Sequence, residues 1–192
     1  MYDRELDGRE LVFGVSGKLY RNSLIMFDRE TGTLWSHLLG VAVQGPLARR
    51  RLRVIPSTVA EWRGWRRAHP RTLVLSPADA PYGEDAYAAY YASAATGILG
   101  TRRRDTRLPP KSLVLGVLAP AAKAYPFRDL EARRVIHDRL AGRPIEVVYD
   151  RRARSADAFE ETASGRKRLP STPIFWFAWV DFFPGAPLWR PG

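Results

Sequence analysis

The chain has 192 residues, with 31 Lys and Arg against 20 Asp and Glu and a formal net charge of +11; this length suits one ordinary domain or two small ones with a real core. Its 45% hydrophobic content, with 6 Trp, 8 Tyr and 8 Phe, is a packing composition that excludes disorder for the bulk of the chain. The absence of Cys excludes disulfides, thiolate metal sites and cysteine nucleophiles, and no window approaches the roughly 18 apolar residues of a membrane span.

In chain order, the first half reads as β. Asp7-Gly8 lies between extended residues 2–6 and 9–16, a strong hairpin signal. Residues 23–27 form an apolar strand, Glu30-Thr31-Gly32 is turn chemistry, and residues 33–36 return, which sets Asp28 and Arg29 at a strand end with Trp35 opposite. Gly40, Gly45 and Pro46 break the chain before another extended run at 51–55. Thr58 followed by Glu61 has the spacing of a capping box, and Val59, Trp62 and Trp65 recur on one helical face. The spacing predicts a helix to about His69 with both indoles in its buried stripe and Arg63, Arg66 and Arg67 pointing elsewhere.

A strand at 72–75 follows, then a connection from Pro77 to Pro110 holding Tyr82, Tyr87, Tyr90 and Tyr91, whose aromatics argue for docking on a core. Its basic end, 101–110, is the best internal boundary. Beyond it strands are expected at 112–118, 144–150 and 156–160, with a helical turn near 127–133. Pro56-Ser57-Thr58 recurs as Pro170-Ser171-Thr172, and at the same offset of 114 residues Trp62, Trp65 and Pro70 match Trp176, Trp179 and Pro184. Thr172 before Pro173 again reads as an N-cap with Pro at the first helical position. A duplication follows from this reading, with related halves at 1–105 and 106–192 in one compact unit. The fold class expected is α+β, mainly short antiparallel strands with two equivalent Trp-bearing helices. Ile174, Phe175, Trp176, Phe177, Trp179, Phe182 and Phe183 make the second helix apolar nearly all round, so it must be buried or meet a partner.

The runs Asp7-Gly8-Arg9-Glu10-Leu11-Val12-Phe13-Gly14-Val15-Ser16-Gly17-Lys18-Leu19-Tyr20 and Ser23-Leu24-Ile25-Met26-Phe27-Asp28-Arg29-Glu30-Thr31-Gly32-Thr33-Leu34-Trp35-Ser36 resemble the central signature of the uncharacterised domain family DUF3179. Lys123-Ala124-Tyr125-Pro126 and Phe175-Trp176-Phe177-Ala178-Trp179 resemble its second-half motifs. The resemblance implies a fold of two related halves and no established activity. Family members usually carry a preceding Cys-Pro-Leu-Cys segment, so the chain as given resembles a trimmed member. His37 stands where the family commonly has Gln, and His137-Asp138 where it commonly has Asn-Asp.

Three function classes emerge. The leading one is a non-catalytic binding or assembly module, meeting a protein partner or itself through Phe175, Trp176, Trp179 and Phe182. The second is sequence-independent nucleic-acid binding: 27 of the basic residues are Arg, and they cluster at Arg49, Arg50, Arg51 and Arg53, at 63–71, 102–104 and 151–154. An Arg bias of this kind is equally what a GC-rich genome writes on solvated faces. The third is an enzyme using Asp28 as acid or base with His37 nearby. The polar set Asn22, Asp28, Arg29, Thr31, Trp35 and His37 on one hairpin is either a pocket wall for a polar ligand or a capped turn over a core Trp. Gly14-Val15-Ser16-Gly17 lacks the features of a phosphate loop, and His37, His69 and His137 have no metal-ligand spacing, so no cofactor is implied. Met1-Tyr2-Asp3-Arg4-Glu5 has no signal-peptide pattern, which makes a cytoplasmic location the expectation for the chain as given.

Overall fold

The computed structural model describes residues 1–74, 85, 87–118 and 120–191. It is an α+β fold in which short antiparallel strands dominate. Strands β1 (Glu5–Leu6) and β2 (Arg9–Glu10) form the first hairpin, and β3 (Phe13–Tyr20), β4 (Ser23–Asp28), β5 (Leu34–Ser36) and β6 (Val41–Gln44) form a four-stranded meander. Helices α1 (Trp62–Ala68) and α2 (Ala88–Ala92) precede β7 (Leu113–Val117), β8 (Lys123–Pro126) and α3 (Phe127–Arg133). A second four-stranded meander follows, β9 (Val135–Leu140), β10 (Arg143–Asp150), β11 (Ser155–Thr162) and β12 (Gly165–Arg168). Strand β13 (Ser171–Phe175) runs into α4 (Trp176–Phe182) and lies beside β7 in a sheet ordered β13-β7-β8. No helix among the described residues is long and apolar enough to cross a membrane.

Turn chemistry sets the hairpins. Asp7 and Gly8 both have positive φ, 52° and 74°, as a two-residue hairpin turn with right-handed strands requires. Arg21 and Asn22 repeat this between β3 and β4, where neither residue type announces it. Strand β7 is the centre of the second half. Its residues alternate between two cores, Leu115 and Val117 facing Tyr125, Leu130, Ile145 and Val147, and Val114 facing Trp176, Trp179 and Val180. A strand covered on both faces needs a continuous apolar run, and 113–117 is one.

The strands expected at 112–118, 144–150 and 156–160 and the helix at 127–133 are present to within two residues. The helix starts differ from expectation. Thr58 does not cap α1: its hydroxyl donates to the Asp157 carboxylate at 2.9 and 3.0 Å, with Arg168 binding both, and the helix begins at Trp62. Nor does Thr172 cap α4, because 171–175 pair with β7 and the helix begins at Trp176. Pro173 is tolerated there because β13 is an edge strand, where one N–H is not needed. At the 114-residue offset both helices span 7 residues, and their C-caps, His69 and Phe183, have φ of −129° and −126°.

The run at 51–55 forms only bridges, Arg51 to Val41 and Val54 to Tyr2. Residues 72–74 form no strand, and Leu75, Tyr82 and most of 77–86 lie outside the described residues. Tyr90 and Tyr91 do dock: Lys111 binds the Tyr90 carbonyl, and the Tyr91 ring meets Phe175 at 6.2 Å.

Gly116 fixes how closely α4 approaches β7. A Cβ at 116 would overlap the six-membered ring of Trp179. Gly116→Ala is expected to destabilise the protein by about 1–3 kcal/mol through overpacking, read as a fall in Tm of roughly 2–4 °C per kcal/mol.

Candidate functional site

The hairpin cluster does not converge. Asp28 is fully buried at the end of β4, where Oδ1 accepts the Thr31 N–H at 2.6 Å and the Thr31 hydroxyl at 2.7 Å. Its Oδ2 accepts the Trp35 indole N–H at 2.8 Å. Burial pushes the Asp28 carboxyl up, but the hydrogen bonds from Trp35 and Thr31 outweigh it and hold the pKa below the usual range. Asp28, Thr31 and Trp35 are therefore a capped turn over a core indole. Asn22 sits at the opposite end of β4, roughly 20 Å away by strand rise, where its amide donates to the Gly100 carbonyl at 2.6 Å and accepts the Leu99 N–H at 2.8 Å. Arg29 and His37 are exposed, and partial desolvation, then the nearby terminal ammonium, lowers the His37 pKa. Asp28 thus exposes no oxygen with which to exchange a proton, and the Asn22 amide is spent on Leu99 and Gly100.

The C-terminal helix is core. Trp176, Trp179 and Phe182 are buried, Trp179 completely, and Phe175 is half-buried against Tyr91 and Phe177. Intramolecular contacts cover them: the Trp176 N–H donates to the Ser112 carbonyl and its indole to the Asp105 carbonyl, Trp179 packs on β7, and the Phe182 ring meets Tyr20 edge-on at 5.8 Å.

The first helix behaves in the opposite way. Gly64 is its buried residue, and its backbone rests on Ala153 and the Arg152 carbonyl. At about 100° per residue, the side opposite Gly64 is centred on Trp62 and Arg66, with Trp65 and Arg63 to either side. Trp62 and Trp65 are 48% and 40% exposed, which corrects the expectation that they are core. The stripe is real, but among the described residues it is left half open. Trp65 is held by its stack on His69, 4.1 Å between centroids, and by its N–H to the Thr72 hydroxyl at 2.9 Å.

The Gly64–Ala153 contact sets the β10–β11 turn, with exposed Arg151 and Arg152, against the glycine side of α1, with exposed Arg63 and Arg67 on the helix flank and Arg66 facing away. Arg134, Arg151 and Arg152, together with Asp150, line an open hollow of about 610 Å³ beside the turn. Arg49, Arg50, Arg51 and Arg53 are also exposed, but Arg50 pairs with Asp7 and Arg53 with Asp3.

Tyr149 links the hollow to a deeper cleft of about 380 Å³. Its hydroxyl donates to Glu131 at 3.0 Å, and burial, then Glu131, raises its pKa. Across the cleft Arg154 pairs with Glu61 at 3.1 Å. Sequence reading missed Glu61, Glu131 and Tyr149. The alternation Ile145, Val147, Tyr149 was the available sign that Tyr149 points inward, but the partners come from α3 and the α1 N-terminus. Among the described residues no three His, Asp or Glu side chains gather into a group able to hold a metal.

The model of the family described as Protein of unknown function (DUF3179) matches residues 1–186. The chain belongs to the DUF3179 family. No curated protein and no solved structure matches it. Within this DUF3179 chain the long signature runs at 7–20 and 23–36 contain the Asp28–Thr31–Trp35 turn, so that part of the motif builds the fold.

Asp28→Asn tests that role. Both carboxylate oxygens face donors, and an amide would turn its NH2 on one of them. With a depressed folded-state pKa, the Asp28 contribution is whole above about pH 4 and is lost as pH falls through the lower folded value. The variant is expected to lose about 1–3 kcal/mol at neutral pH, with the gap to wild type narrowing in acid, as measured by urea unfolding at several pH values.

Proposed function

We propose that this protein is a non-catalytic binding module that takes single-stranded nucleic acid on the surface shared by α1 and the β10–β11 turn. The observation that supports the reading is the seating of Gly64 on Ala153, which sets Arg151 and Arg152 beside the glycine side of α1, with Arg63 and Arg67 on its flank and Arg66 and the two exposed indoles turned outward. None of those five arginines makes an ion pair among the described residues, so their charge is available to phosphates. Exposed aromatics between arginines favour nucleic acid over other polyanions, because every base has a π-face to stack on an indole. On the duplication reading, the second copy spends its Trp pair on the core, and Phe177, Val180 and Asp181 stand where the first has Arg63, Arg66 and Arg67.

Five neutralised phosphates imply a slope of about −3.5 in log K against log salt. Affinity for a mixed-sequence single strand is expected to fall roughly a hundredfold between about 50 and 200 mM salt, with quenching of tryptophan fluorescence on binding. Arg66→Glu with Arg151→Glu is expected to weaken binding and flatten the slope. Affinity that hardly changes between the two salts, charge reversals without effect, or equal binding of heparin with no need for Trp62 would each overturn the reading.

A further inference from the structure

The cleft next to this surface holds polar groups for which phosphate binding has no use. Its floor is apolar, from Leu108, Leu113 and Phe127, and its volume of about 380 Å³ falls among small-ligand sites, about 300–1,000 Å³. The Phe127 ring meets Tyr149 edge-on at 6.1 Å and an interplanar angle of 89°, which fixes the phenol. Tyr149 in turn fixes Glu131, the only hydrogen bond that Glu131 makes among the described residues. Glu131 is exposed to the cleft and makes no ion pair there, so an acceptor-only group with a free oxygen is aimed into an apolar-floored space.

Resting on the nucleic-acid reading above, we infer that this cleft takes an unstacked guanine of the bound strand, with the Glu131 carboxylate reading its Watson–Crick edge. The choice follows from donor patterns. Guanine presents two adjacent donors, N1–H and the N2 amino group, which match the two oxygens of one carboxylate. Adenine and cytosine place a ring-nitrogen acceptor beside their amino donor, so the second carboxylate oxygen would meet a lone pair. Thymine and uracil offer one N–H between two carbonyls. Arg128 also lines the cleft; its Nε pairs with Asp129 at 3.6 Å, which leaves its terminal nitrogens for the guanine O6. Splaying a base from a single strand into an aromatic-walled pocket is how sequence is read in such strands. The place is suitable because the cleft adjoins the basic surface: Glu61 at the N-cap position of α1 and Arg154 of the β10–β11 turn line it, and Tyr149 is shared with the hollow of Arg151 and Arg152.

Three fifteen-residue oligonucleotides separate the steps: all thymidine, thymidine with one central guanosine, and thymidine with one central inosine, which lacks the N2 amino group. The guanosine strand is expected to bind roughly tenfold tighter than oligothymidine, the scale of one good bidentate contact, and inosine to lose most of that gain. Glu131→Gln keeps an acceptor for the Tyr149 hydroxyl; it is expected to abolish the guanosine preference while leaving oligothymidine affinity and its salt slope unchanged. If oligothymidine binds with the steep salt dependence and guanosine adds nothing, or if the preference survives Glu131→Gln, the guanine pocket is wrong and the basic surface stands. If none of the three strands binds, the nucleic-acid reading falls and the pocket with it.

Discussion

Gly64 meets the Ala153 turn backbone to backbone, and the position of α1 depends on that approach. Any side chain at 64 would overlap Ala153 and the Arg152 carbonyl. Glycine inside a helix costs roughly 1 kcal/mol relative to alanine, and here the cost is offset by what the close approach allows. The Glu61 N–H reaches the Ala153 carbonyl at 3.0 Å, and Thr58 reaches the Asp157 carboxylate, so α1 and its lead-in are fastened to the β10–β11 hairpin at three points. Once the glycine face is inward, geometry alone turns Trp62 and Arg66 outward.

The two Trp helices make the consequence plain. They have the same length and matching caps, yet α4 buries residues on nearly all sides while α1 buries only Gly64. An indole left half exposed gives up much of the roughly 1.5–3 kcal/mol that burying a large apolar side chain yields. Two of them side by side on one short helix are a poor use of tryptophan for stability. Trp65 is nonetheless braced, by His69 and Thr72. A braced aromatic loses little rotamer freedom when a flat ligand stacks on it, which is the condition for useful binding by so small a surface.

What was legible in the sequence is what local chemistry decides. Asp7-Gly8 can hardly be other than a tight turn, and 127–133 and 144–150 carry clear apolar periods. The start of α1 was illegible because Thr58 is claimed by Asp157, 99 residues away, and a long-range charge outcompetes a local N–H. Burial of the indoles was illegible for a related reason: a helical period identifies a stripe but not whether anything covers it. Asn22 looked like part of a hairpin site, and its side chain is spent on the backbone of Leu99 and Gly100. The cleft was invisible because Glu61, Glu131 and Tyr149 share no motif and meet only through the packing of α1, α3 and β10.

The distribution of acids sorts the arginine clusters, which composition could not do. Arg50 and Arg53 are matched by Asp7 and Asp3 of the first hairpin, Arg107 by Asp105, and Arg143, Arg166 and Arg168 by Glu160, Glu146 and Asp157. Paired charges at the surface add little to the outward field. The 102–104 stretch is anchored by its backbone instead, since the buried Asp181 accepts the N–H groups of Arg102 and Arg103, which satisfies a carboxylate that α4 could not otherwise bury. Among the described residues Arg63, Arg66, Arg67, Arg151 and Arg152 form no ion pair, although Asp150 lies beside the last two and Arg154 of the same turn is paired with Glu61. In the adjoining cleft two glutamates and two arginines balance, with Glu61 paired to Arg154 and Glu131 holding the Tyr149 hydroxyl. Which arginines remain unpaired therefore follows from where the acids fall in the fold, and the position of the turn that carries Arg151 and Arg152 beside α1 follows from the single contact at Gly64.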